Sequence, residues 1–303
     1  MRIVSLVPSA TEICFALGLD EEVVGVTHEC DWPPEVEELP RVTRDVLAPG
    51  LGPGEIDAAV RQRTLEGKAI YELDEEELHR LEPELIITQA ICAVCAVAYE
   101  DVVALAQTME RPPDVISLDP STLGEVLGDV RTVAEATGRS DQGAELVEEA
   151  AERIDRVRFA VADAPRPRVA ALEWLDPVYA AGHWTPQIVE YAGGEDVLGL
   201  PGEHSRVVSW EEVAAGRPEV IVVMPCGYEE HRAAREAELF ADRLAALGAH
   251  RVVAVDAAAH FSRPGPRLLD GLEELAHVLH PVLVDEPEGG ARAIDLEERL
   301  AGR

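Results

Sequence analysis

Lysine is almost missing from this chain: Lys68 is the single one, and every other basic residue is an arginine. Acidic residues outnumber basic ones 59 to 26, which leaves a net charge of −33. A field of that sign repels phosphate backbones and anionic headgroups, so neither nucleic-acid binding nor electrostatic attachment to a membrane is expected. The acids are spread along the chain, as on a surface adapted to a salty cytoplasm, and predict a higher melting temperature in molar potassium chloride than in low salt. No apolar run approaches the ~20 residues that span a bilayer, so membrane insertion is not expected. A basic segment, an apolar stretch and a small-residue cleavage site are not seen ahead of the first strand-like segment, and the expected location is the cytoplasm. A P-loop, a glycine-rich dinucleotide fingerprint, an H-E-x-x-H pair and a partnered nucleophile are also missing. Hydrolase and dehydrogenase readings therefore have nothing to rest on, no catalytic residue is assigned, and a non-enzyme is favoured. Aromatic residues make up only 4% of the chain, so each tryptophan is worth following individually.

What is present is a chain of 303 residues, long enough for two cores, with 47% hydrophobic residues. Short β-branched runs alternate with helical spacings. Ile3 to Val7, Val23 to Val26, Leu85 to Thr88 and Val115 to Leu118 read as strands. Ser9 and Glu12 have the spacing of a capping box for a first helix that Gly18 ends, and Asp74 to Leu81 reads as a further helix. Around residues 48–54 the chain is looser and rich in proline and glycine. The segment Ser140 to Ala162 has an apolar stripe at Val147, Ala150, Ile154, Val157 and Val161, which predicts one helix on the order of 30 Å long. The alternation then restarts with strands at Val169 to Leu172, Val220 to Met224 and Val252 to Val255, and a long helix from Glu229 to Leu247. The expected fold is α/β: two Rossmann-like lobes with parallel sheets, residues 1–138 and 163–284, joined by one backbone helix at 139–162, with a ligand cleft between the lobes. A single helical crossing predicts modest lobe closure. Residues 285–303 read as an acidic, peripheral tail.

The uncommon residues follow the predicted strands: His28 and Cys30, Gln89 through Cys95, Glu173 and Trp174, and Cys226. In open parallel sheets the ligand crevice lies outside the carboxyl ends of the strands, so these residues are the candidates for a ligand site.

The opening Ile3-Val4-Ser5-Leu6-Val7-Pro8-Ser9-Ala10-Thr11-Glu12 and the following Ala16-Leu17-Gly18-Leu19 resemble the start of the cobalamin and iron-siderophore periplasmic-binding family. Val23 to Val26, Leu85-Ile86-Ile87-Thr88 and Ala192-Gly193-Gly194 carry the resemblance along nearly the whole chain. It implies the rigid, long-helix class of solute-binding proteins and, within it, the cobalamin-binding branch. The implied ligand is a corrinoid or related metal-chelate, held between the lobes without covalent attachment or catalysis. An ABC permease is the partner the family would imply, although the missing leader sets this chain apart from exported members. Trp174, Trp184 and Trp32 would pack on the flat macrocycle or its nucleotide base, with Gln89, Glu173, His183 and Arg263 beside them. Arg263 and Arg267 flank Pro264-Gly265-Pro266 and suit a ligand phosphate or carboxylate, or neighbouring acids.

Five cysteines in a reducing compartment argue against a disulfide framework. Cys92 and Cys95 form a C-x-x-C, and with Cys30, Cys226 and His28 they suit zinc or an iron–sulfur cluster. That set defines the alternative reading, a cytoplasmic metalloprotein or enzyme using the same cleft. Small buried cysteines and a redox pair remain open beside it. Cys14 lies within the first helix and reads as core, and His28 and His183 are candidate ligands of a metal or of a corrinoid cobalt.

Overall fold

The computed structural model describes residues 1–48, 50–66, 69–89, 97, 99–287 and 293–296. The chain divides into two compact units, Met1–Pro120 with Glu125–Val147, and Ser121–Gly124 with Glu148–Arg303.

The first unit carries β1 (Ile3–Ser5), α1 (Pro8–Ala16), β2 (Val23–Val26), β3 (Thr43–Asp45), α2 (Pro53–Leu65), β4 (Tyr71–Leu73), α3 (Glu75–Leu81), β5 (Leu85–Thr88), α4 (Tyr99–Ala106), β6 (Asp114–Ser117) and most of α5 (Leu123–Ala136). Its four-stranded sheet runs β2-β1-β5-β6, all parallel. Burial follows position in that sheet. The inner strands β1 and β5 are buried at every residue, whereas the edge strand β6 is half-buried. Continuous apolar runs are what a strand covered on both faces requires. One side packs Ile13, Cys14 and Leu17 of α1 with Val130 and Val133 of α5; another packs Leu78 and Leu81 of α3 with Val102 and Ala106 of α4.

Helix α6 (Ser140–Ala160) contributes to both units. The second unit continues with β7 (Arg168–Leu175), β8 (Val178–Ala180), α7 (Thr185–Tyr191), β9 (Glu195–Asp196), β10 (Arg206–Val207), α8 (Trp210–Gly216), β11 (Val220–Val223), α9 (Glu230–Leu239), α10 (Ala241–Ala246), β12 (Arg251–Ala254), α11 (Ala257–His260), α12 (Leu268–Leu279) and β13 (Ile294–Asp295). Strands β7, β11 and β12 are parallel at its centre. Its flanks are antiparallel, with β8 and β10 beyond β7 and β13 beyond β12, so this sheet is mixed where the sequence predicts a parallel one. For β8 the reason is local: Asp176 and Pro177 turn the chain back on itself, and a two-residue turn permits only an antiparallel return.

Other expectations also change. Helix α1 starts at Pro8, whose fixed φ and missing N–H suit the first helical position; Val7 becomes the cap, and Ser9 with Glu12 makes no capping box. The long helix expected over Glu229 to Leu247 breaks at Phe240, whose ring stacks on Trp210 at 6.2 Å. Part of the segment expected to be peripheral is structural: Ile294–Asp295 adds an edge strand, and Leu296 is fully buried in the second core. Among the described residues, no helix is long and apolar enough to cross a membrane.

Candidate functional site

In the second unit the central strands end on a cluster of polar and aromatic side chains. Glu173 and Trp174 are near the end of β7, and Cys226 follows β11; the Cys226 N–H donates to the Glu173 carbonyl at 3.2 Å. The Glu173 carboxyl points inward. It accepts from the Gly182 N–H at 3.4 Å and bonds the Ser205 side chain. Burial pushes its pKa up to about 7, the Ser205 and Gly182 hydrogen bonds pull it down, and Asp196 adds to the rise.

Two loops are stapled together beside it. His183 N–H donates to the Glu203 carbonyl at 2.6 Å, and Gly202 N–H donates to the His183 carbonyl at 2.9 Å. The approach is so close that a Cβ at Gly182 would lie 2.2 Å from the Ser205 nitrogen, which makes glycine obligatory there. His183 adopts a left-handed φ of 53°, uncommon for a residue with a Cβ, and this aims its ring at His204. The His183 Nε2 and His204 Nδ1 are 3.0 Å apart, and burial first and His204 second hold the His183 pKa below the ordinary imidazole value.

The two tryptophans of this region differ. Trp184 is buried, 7% exposed, and its indole N–H donates to the Phe261 carbonyl at 2.7 Å. Such a side chain is a core residue with its polar handle already used. Trp174 is half-buried and lies edge-on to Tyr228 at 5.5 Å, and its buried indole N–H has no acceptor. Behind it, the Arg232 guanidinium sits 3.6 Å over the Tyr228 ring, and Tyr228 hydrogen-bonds Glu236. Burial pushes the Glu236 carboxyl up to about 7, opposed by Tyr228 and Arg232 and reinforced by Asp176. Arg263 is half-buried in the segment after α11.

The strand ends of the first unit are built differently. The Thr11 hydroxyl donates to Ser5 Oγ at 2.8 Å and lies 3.0 Å from the Cys30 sulfur, which is buried. His28 Nδ1 is 2.7 Å from Thr43 Oγ1, its Nε2 is 3.3 Å from Glu29, and its ring meets Tyr71 edge-on at 4.7 Å. Trp32 is 46% exposed, and Gln89 is half-buried just past β5.

Of the sequence-predicted ligand residues, the second unit thus brings Glu173, Trp174 and His183 into one neighbourhood. Trp184 supports that neighbourhood from the core. Cys92 and Cys95 lie outside the described residues. Among the described residues no group of three or more His, Cys, Asp or Glu side chains is arranged to hold a metal ion. Cys30 is enclosed beside Thr11 in the first unit, and Cys226 is exposed in the second. Cys14 is core, as expected, with burial followed by Cys30 and Glu22 pushing its thiol up to about 12. Sequence reading missed Ser205, Tyr228 and Glu236, and left His204 unassigned. The Gly182-His183 step was the available signal, because a glycine beside a strained residue marks a close backbone approach.

A family profile described as periplasmic binding protein matches residues 3–259. The chain belongs to the periplasmic binding protein family. That span includes both units' central strands and Glu173, Trp174, His183, His204, Ser205, Tyr228 and Glu236 of the second unit's cluster. The vitamin B12-binding protein of Vibrio cholerae serotype O1 is 24% identical over 290 residues, covering 92% of this chain and 88% of that protein. The crystal structure of the periplasmic vitamin B12 binding protein BtuF of Vibrio cholerae superposes with a TM-score of 0.67 at 23% identity, over 92% of this chain and 96% of that one. The periplasmic heme-binding protein RhuT from Roseiflexus sp. RS-1 superposes with a TM-score of 0.66 at 24% identity, over 92% and 98%. These neighbours share the α/β periplasmic-binding fold, with parallel strands covered by helices.

Proposed function

We propose that this chain is a non-catalytic solute-binding protein of the ABC-transporter type whose ligand is a cobalamin or a closely related metal-chelate macrocycle. The observation that carries the ligand class is the match to the vitamin B12-binding protein along 92% of the chain, at both units rather than one. The chemistry of the second unit agrees with it. Trp174 offers a flat apolar surface and a buried N–H without an acceptor, which suits a large conjugated ring edged with amide carbonyls. Glu173 is neutral or charged near pH 7 with little cost either way, so it can donate to or accept from a ligand amide. Delivery of the ligand to an ABC permease belongs to the same proposal.

The test is a fluorescence and absorbance titration of the protein with cyanocobalamin, with hemin as competitor. One cobalamin per chain is expected, and Trp174→Ala weakens it at least about tenfold, as loss of a stacked aromatic anchor does. Binding of hemin but not cobalamin moves the ligand to the porphyrins. Binding of neither removes the reading.

A further inference from the structure

We propose that His183 and His204, beside the Glu173–Trp174 cluster, form a two-imidazole site for a single divalent transition metal ion of the copper–nickel–zinc group. The span between the two nitrogens is the first argument. Metal–imidazole bonds are about 2.0–2.1 Å, so two nitrogens on adjacent corners of one ion lie about 2.9–3.4 Å apart. The His183 Nε2 and His204 Nδ1 already stand 3.0 Å apart, with their rings at 82° and their centroids 5.0 Å apart.

Rigidity is the second. The His183–Glu203 and Gly202–His183 backbone bonds tie the two loops, and Gly182 lets them touch. The two backbones are therefore held at a fixed separation before any ion arrives, and each ring needs only to turn about its side-chain bonds to bring its facing nitrogen onto a common ion. His204 is exposed, which gives the ion a route in. Without metal, one ring donates its N–H to the other; with metal, the donor ring moves that proton to its other nitrogen and both facing nitrogens present lone pairs.

The donor set fixes the class of ion. Two imidazoles exclude calcium and magnesium, which take oxygen ligands. Among the described residues no third histidine, cysteine or carboxylate completes a metal group, so water fills the remaining positions. Such an open site follows the general affinity order, with copper(II) ahead of nickel(II) and zinc.

Untagged protein titrated with copper(II) by calorimetry, with electron paramagnetic resonance on the same samples, tests this. One equivalent is expected to bind tightly, with nitrogen hyperfine structure from two imidazoles. His204→Gln, at an exposed position that leaves the fold intact, is expected to weaken that equivalent by more than the roughly tenfold that loss of an outer-shell partner costs. His231→Gln, on the exposed face of α9, is the control and leaves it unchanged. Equal copper affinity in the parent and the His204→Gln variant overturns the proposal, as does a spectrum lacking a second nitrogen. Cobalamin binding is read separately by absorbance, so failure of the metal site and failure of the chelate reading are distinct results.

Discussion

The strand ends of the two units solve the same problem with different side chains. In the first, small buried side chains pair in two groups, Ser5 and Cys30 on Thr11, and Thr27 on Thr43. In the second, carboxyls with pKa values raised to about 7, a strained histidine and an indole N–H without an acceptor occupy the corresponding place. The Ser5–Thr11–Cys30 hydroxyl and thiol contacts carry no carboxyl, and at this unit's strand ends the buried Thr88 hydroxyl is left without a hydrogen-bond partner. Desolvated ionisable groups and an orphan donor cost stability in the empty protein and become favourable once a ligand completes them. The contrast assigns shape-keeping to the first set and recognition to the second.

Substitutions can break that contrast, beginning with the largest effect. Gly182→Ala sets a methyl group 2.2 Å from backbone and is expected to cost about 3 kcal/mol; Gly25→Ala in the first unit meets side chains only, the end of Leu81 at 2.6 Å and Val42 at 3.2 Å, and is expected to cost about 1 kcal/mol. Denaturant melts of the two variants check the difference, and equal costs would show that the second unit's loops are looser than described. Next comes the tryptophan pair. Trp184→Phe loses a satisfied hydrogen bond and core volume, for about 2 kcal/mol, whereas Trp174→Phe removes an unsatisfied donor and should stay within about 1 kcal/mol of the parent. Thr11→Val then probes the hydroxyl network; leaving Ser5 and Cys30 without that partner is expected to cost about 1 kcal/mol, with no pH dependence between about 5 and 8.

The smallest effect is a slope. Glu236 is raised from its ordinary value of 4.5 to about 7, so over that window the native state keeps a proton that the unfolded chain has released. Its contribution is complete below the ordinary value and is lost as pH rises through about 7. Tyr228, Arg232 and Asp176 surround it, and none of them is altered by Glu236→Gln. That variant should flatten the fall of melting temperature with rising pH; an unchanged slope would locate the titration elsewhere.

Much of the fold was legible because the inner strands are unbroken apolar runs and Gly18 and Gly138 adopt the positive φ that ends a helix. The edges were not, because β8, β9, β10 and β13 are two or three residues long and gain their stability from register against a neighbour rather than from a pattern of their own. Helix α2 was hidden by Pro53 and Gly54, which read as loop but sit in its first turn. At the site, Glu173 and Trp174 were visible as uncommon residues after a strand, and His183 as a candidate ligand in the Gly182-His183-Trp184 segment. Ser205 and His204 were not, since only the close approach at Gly182 brings residues more than twenty positions apart in sequence onto the same loop pair. The reverse error was Trp184, where a residue adjacent to a site motif is turned inward to the Phe261 carbonyl.

The most direct measurement is gel filtration of the untagged, anaerobically purified protein after incubation with equimolar cyanocobalamin, with an absorbance spectrum and cobalt, iron and zinc analysis of the protein peak. A solute-binding protein for cobalamin should elute with sharp corrin bands and close to one cobalt per chain. A protein peak free of cobalt would contradict that function, and one carrying iron with broad thiolate charge-transfer absorbance would favour the cysteine-ligated alternative instead.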